Sequence, residues 1–282
     1  MGRRSAIAAL LFACAAIAVL ACWAWSDRLW ALHVDAATTS ADASDVWAKA
    51  DSLPHDQYGE LVRQGYRIFV DTPHYARRYS GNALSCGNCH LDAGQRANAS
   101  PMWAAWGMYP MYLAKTNAVN TFEERIQQCF RFSMNGVPPP QGSQELRALT
   151  VYAQWLAKGQ PVGVALPGRG FATVQGTGVD GDPQHGHALY AQRCAVCHGG
   201  NGEGKREESG KYLFPPLWGW HSFNKGAGMY RAPMLAAFLK ANMPYGNANL
   251  ADQEALDLAA WITQQKRWPD PRKPLLSRFF QD

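Results

Sequence analysis

Cys86-Gly87-Asn88-Cys89-His90 recurs as Cys194-Ala195-Val196-Cys197-His198, displaced by 108 residues. Two thiols one helical turn apart can each form a thioether with a vinyl group on one porphyrin edge, and the histidine that follows then swings beneath the iron. A four-thiolate zinc site could draw on two such pairs, but its spacers are normally much shorter, and zinc gives no role to a histidine after both. A thioredoxin-like redox pair wants a βαβ setting, and neither motif has one. Two covalently bound haem c groups are therefore expected, one on Cys86 and Cys89 with His90 as axial ligand, the other on Cys194 and Cys197 with His198.

The group on the far side of each iron decides what that haem can do, because a thioether raises its potential and a thiolate lowers it. Met243, followed by Pro244 and lying 45 residues after His198, is the first candidate at the second haem. Met229, Met234 and Lys240 are its rivals, and a methionine is a core filler more often than a ligand. At the first haem Met134, 44 residues after His90, competes with Cys129. Of 7 cysteines, two lie in the apolar leader and four are consumed by haem, which leaves Cys129 as the one remaining thiol. Such a thiol outside the cytoplasm is either buried and inert or chemically used. Spacing and arithmetic leave that contest open.

The elements that must place these groups can be read in order. Met1-Gly2-Arg3-Arg4 precedes an uncharged apolar run from Ala6 to Trp25, so residues 1–36 read as a signal peptide or a retained membrane anchor. Either sends the chain to the periplasm, where bacterial c-type haem is attached. Residues 37–54 are small and polar and read as a tether. The first cytochrome domain is expected over 55–160. Leu61, Gly65, Ile68 and Phe69 fall at helical spacing there, a helix runs through Glu123 to Cys129, and Ser143 caps another that ends near Gly159. The Gly- and Pro-rich stretch 161–185 reads as a linker. Residues 186–282 form the second domain, whose last helix opens at Asp252 or Glu254 and is followed by an irregular tail. A net charge of +5 is too weak and dispersed to argue for nucleic acid. Helix, haem motif, loops and terminal helix occur in both halves, a mainly α pattern that resembles two tandem class I cytochrome c domains.

His90-Leu91-Asp92-Ala93-Gly94, Tyr109-Pro110-Met111-Tyr112, Thr121 through Phe130, Ser133-Met134-Asn135-Gly136 and Ser222 through Met229 together resemble the dihaem, tetrathionate-forming thiosulfate dehydrogenase family over roughly residues 55–265. The resemblance implies that Cys129 is the axial ligand of a catalytic first haem, that Arg125 and Ser133 line its pocket, and that Lys115 stands where the family carries an arginine. Phe132 departs from the pattern, which has an arginine directly before the serine. The implied reaction joins two thiosulfates into tetrathionate, in either direction. Electrons would leave through the second haem to an external acceptor such as a c-type cytochrome. A non-catalytic dihaem carrier and a Cys-ligated cytochrome subunit of a periplasmic sulfur-oxidising complex are the alternatives.

Overall fold

Asp56 accepts a hydrogen bond from the backbone N–H of Gly59 at 2.8 Å and so starts the helix α2, Gln57–Val70; it follows a shorter one, α1, Ala43–Asp51. Helix α2 buries Gly65, Ile68 and Phe69 on one face, as the apolar spacing predicts, with Val62 buried beside them and Leu61 only partly so. In the computed structural model, which describes residues 43–176, 178 and 180–273, that face packs on α4, Gln144–Leu156. The helices cross at Gly65, where an added Cβ would lie 2.3 Å from the Ala148 carbonyl oxygen. Between them comes α3, Phe122–Phe132, opened by a reciprocal cap in which Thr121 and Glu124 exchange side-chain to backbone bonds of 3.2 and 2.7 Å. Just ahead of it the short strands β1, Met111–Leu113, and β2, Ala118–Asn120, form an antiparallel ribbon.

The second half repeats the plan. Asp182 caps α5, Pro183–Arg193, which packs on α7, Asp252–Gln264, while α6, Ala232–Asn242, packs on the other side of α7. Gly186 marks the crossing, for a Cβ there would sit 2.0 Å from the Asp257 carbonyl oxygen. Tyr190, Trp218 and Trp261 fill the space beside it with ring centroids 4.7 to 5.1 Å apart. A second small ribbon, β3, Lys205–Arg206, and β4, Tyr212–Phe214, lies in the loop after His198.

Two expectations are modified. The stretch read as a tether carries α1, with Val46 and Ala50 fully buried and the Trp47 ring tilted against Tyr66, centroids 5.0 Å apart. Three apolar side chains one turn apart suffice to dock it, and Arg63 fixes the following turn through the carbonyls of Ala50, Leu53 and Pro54. The linker is packed rather than free: Gly168 and Gly170 accept from the N–H groups of Asn98 and Ser100, and Phe171 meets Phe238 edge-on at 5.9 Å. The leader, residues 1–36, and the last of the tail, 274–282, lie outside the described residues, among which no helix is long and apolar enough to cross a membrane.

Asparagines stitch the halves together. Asn82 and Asn135 both donate to the Ser222 carbonyl, at 3.1 and 2.6 Å, and Asn224 donates to the Arg131 carbonyl at 3.0 Å. Backbone carbonyls at the end of α3 are thereby held against the second half, and their hydrogen-bonding capacity is met away from water.

Candidate active site

Helix α3 carries Cys129 and Arg125 one turn apart on the same face. That face looks into a cleft of about 870 Å³, counting space open to solvent, whose apolar walls include Phe69, Leu84, Met102, Ile126, Phe130 and Leu149. Cys86, Cys89, His90 and Cys129 all line it. His90 Nδ1 donates to the Ser100 carbonyl at 2.7 Å, which fixes the ring and leaves the Nε2 lone pair for a metal. The imidazole and the Cys129 sulfur, the two groups expected at one iron, line the same cleft, and the imidazole helps to lower the pKa of that sulfur.

Three cysteine sulfurs share the cleft and their environments differ. Burial pushes Cys86 and Cys89 up to about 12 and keeps them as thiols. Burial acts the same way on Cys129, but the Arg125 guanidinium, His90 and Lys115 outweigh it and bring its pKa down to about 7. Arg125 Nη1 donates to the Cys129 sulfur at 3.2 Å, and the Tyr109 side chain bonds to the same guanidinium. The cleft thus holds, beside the histidine in one lining, two cysteines whose pKa is raised and one whose pKa is brought down, a set that fits a tethered haem with a thiolate offered to its iron.

Ser133 and Met134 also line the cleft. Met134 is 3% exposed and its backbone N–H bonds to the Cys129 carbonyl at 3.0 Å. Lys115 stands outside this lining: its ammonium donates to the Gly226 carbonyl at 2.6 Å and sits 3.7 Å from the Phe132 ring centroid. Phe132, the departure from the family pattern, thus supplies the ring face that receives the cation. Tyr109 is the functional neighbour that residue-type reasoning left without a role, although it lies inside a motif that carried the resemblance.

The second motif repeats the histidine's support, with His198 Nδ1 donating to the Pro215 carbonyl at 2.9 Å. Burial lowers the His198 pKa, keeping the ring in the neutral form that binds metal. Met243 follows α6 directly and is half-buried. Lys240 is tied to the Leu250 carbonyl at 2.6 Å and to Asp252 at 2.9 Å, while the Met234 sulfur accepts from Arg231 at 3.8 Å. Lys240 and Met234 thus have other partners, and the third rival, Met229, is buried in the core.

Residues 74–162 match the family model "SoxA/TsdA, cytochrome c domain", and residues 181–262 match "Cytochrome C oxidase, cbb3-type, subunit III". The chain is 49% identical over 221 residues to a thiosulfate dehydrogenase of Stutzerimonas stutzeri, covering 78% of this chain and 72% of that protein. The chain belongs to the thiosulfate dehydrogenase family. Another thiosulfate dehydrogenase, from Thiomonas intermedia, is 48% identical over 222 residues, covering 78% of this chain and 70% of the relative. The solved thiosulfate dehydrogenase (TsdBA) of Marichromatium purpuratum superposes with a TM-score of 0.77 at 44% identity, covering 82% of this chain. This chain spans about half of that one, 52% of its length. Membership of the thiosulfate dehydrogenase family fixes the architecture as two cytochrome c domains, with two covalently bound haem c groups.

Proposed function

We propose that this chain is a periplasmic dihaem thiosulfate dehydrogenase that joins two thiosulfates into tetrathionate beside Cys129. The observation that carries the reading is the Arg125 to Cys129 contact of 3.2 Å, made in the same cleft as His90. Cys86 and Cys89 would hold the first haem, with His90 and Cys129 as the protein groups offered to its iron; Cys194 and Cys197 would hold the second, with His198 and Met243. When bound, the two haems accept one electron each, which matches the two electrons released per tetrathionate and lets them pass singly to an external c-type cytochrome.

The substrate is a dianion, and two of them must meet. Arg125 supplies a fixed cation at the sulfur, held by Tyr109, and Lys115 adds charge from the rim, so mutual repulsion is offset where the new bond forms. Ser133 contributes a hydroxyl to the same wall. Cys129, anionic near neutral pH, is a competent nucleophile. Its sulfur bonds to the outer sulfur of the first thiosulfate with loss of two electrons, giving a cysteinyl thiosulfonate. The outer sulfur of the second thiosulfate then attacks that same substrate sulfur, tetrathionate forms, and the cysteine leaves as the thiolate. No proton is consumed, and the same steps can be run in reverse.

The test is the purified holoprotein with thiosulfate and ferricyanide. Tetrathionate should accumulate at one per two ferricyanide reduced with no other protein present. Dependence on an added cytochrome partner, or no tetrathionate at all, would replace this reading with the sulfur-oxidising subunit or the non-catalytic carrier.

A further inference from the structure

The segment after His90 is unusual backbone. Asp92, Ala93, Asn98 and Ser100 all have positive φ, between 52° and 61°, a region that non-glycine residues enter only when the surroundings hold them there. Part of what this strained loop does is already clear, since Ser100 orients His90. The remainder faces the second half of the chain. The Asp92 side chain, 3% exposed, accepts from Arg96 at 2.7 Å and from the Tyr245 hydroxyl at 2.8 Å. Arg96 lies 4.5 Å from the Tyr245 ring centroid. Asn242, fully buried, donates its amide to the Asn98 carbonyl at 3.1 Å and to the Phe238 carbonyl at 3.0 Å.

Asn242 and Tyr245 bracket Met243 and Pro244 in sequence. We propose that these two are positioning residues, which clamp the Met243 loop of the second haem onto the loop that orients the first haem's histidine. The inference rests on the assignment of Met243 as the second haem's ligand, made above.

The physical argument concerns competition. A thioether is a soft, neutral ligand, and an incoming donor displaces it whenever the loop that carries it is free to move away. Helix α6 fixes the approach to Met243, but on the far side the chain turns into solvent, with the Tyr245 ring 55% exposed. Burial therefore does not hold Tyr245. Beside the Arg96 guanidinium over its ring, its hydroxyl bonds to a buried carboxylate, and a bond to a charged acceptor is among the stronger ones. Releasing it gives the loop the freedom to swing and lowers the effective concentration of the sulfur at the metal.

The test uses ferric holoprotein as wild type, Tyr245→Phe and Met243→Leu. The weak near-infrared charge-transfer absorption of a His/Met haem is followed while imidazole is added. The thiolate-type electron paramagnetic resonance signal of the first haem serves as an internal control. Tyr245→Phe should show the band and lose it at roughly tenfold lower imidazole than wild type, with the thiolate signal unchanged before addition. Equal imidazole midpoints in wild type and Tyr245→Phe would overturn the clamp while leaving the ligand assignment intact. A band that survives in Met243→Leu, or is absent from wild type, would overturn the ligand assignment itself and the clamp with it.

Discussion

The ammonium of Lys115 donates to the carbonyl oxygen of Gly226 at 2.6 Å, across 111 residues of sequence, and joins the rim of the first haem's cleft to the second half. Burial, reinforced by the neighbouring charges of Arg125 and Arg272, lowers its pKa from 10.5 to about 8. Below that value it is a cation that favours the Cys129 thiolate and an anionic substrate; above it the charge is lost. The KM for thiosulfate should therefore rise severalfold between pH 7 and pH 9. Lys115→Arg, charged throughout that range, should flatten the rise. A wild-type KM that stays level across pH 8 would mean that the substrate does not feel this charge.

Removing the Cys129 sulfur separates haem attachment from catalysis. Cys129→Gly leaves Cys86, Cys89, Cys194 and Cys197 untouched, so the purified protein should still carry two haems. Tetrathionate formation should fall by at least about a thousandfold, on the scale of losing a nucleophile, and the thiolate-type resonance signal should vanish with it. Turnover near the wild-type rate in this variant would make Met134, in the same cleft, the better candidate for the iron.

Tyr109 acts one step back from the substrate. Its side chain bonds to Arg125, which in turn points Nη1 at the Cys129 sulfur. Tyr109→Phe keeps the ring that packs 5.4 Å from Phe122 and deletes only the hydroxyl. A guanidinium freed to sample other rotamers should raise the thiosulfate KM by roughly tenfold, the scale of one hydrogen bond to a charged group. Haem content and the first haem's resonance signal should not change. A fall in kcat at constant KM would instead place the hydroxyl in the chemical step.

The haem motifs, much of the helix faces of α2, α4 and α7, and the cap at Ser143 could be read from residue type and spacing, because each is written in residues a few positions apart. Cys129 needed more. Its distance from His90 is nearly that of Met134, and what favours the cysteine is three-dimensional: the Arg125 guanidinium meets its sulfur in the cleft that His90 also lines. The carbonyls of Ser100 and Pro215 that orient the two histidines leave no side-chain signature at all. Lys115 was legible as a cation near the site, but its anchorage on Gly226 depends on how the two halves meet. Helix α1 was hidden because Val46 and Trp47 are its only apolar residues larger than alanine.

A last expectation concerns stability rather than turnover, and it follows from the pair that ties α5 to α7. His185 Nδ1 lies 2.6 Å from Asp257 Oδ2, and the same buried carboxylate accepts from the Asp182 N–H at 2.8 Å and from Gln253 at 2.7 Å. The hydrogen bond to Asp257 raises the His185 pKa above the ordinary 6.5. Burial alone would raise Asp257, but His185, the Asp182 N–H and Gln253 together hold it below 3.8. A raised histidine contributes stability in full below pH 6.5 and loses it as pH climbs through the folded value; a depressed carboxylate contributes above pH 3.8 and loses it as pH falls through its own. The pair therefore stabilises most between these limits. His185→Gln should lower the urea midpoint of the holoprotein at pH 5.5 and leave it nearly unchanged at pH 9, where wild-type His185 is neutral. Equal losses at both pH values would show that the ring acts by packing, and that its charge adds nothing to the crossing of the two helices.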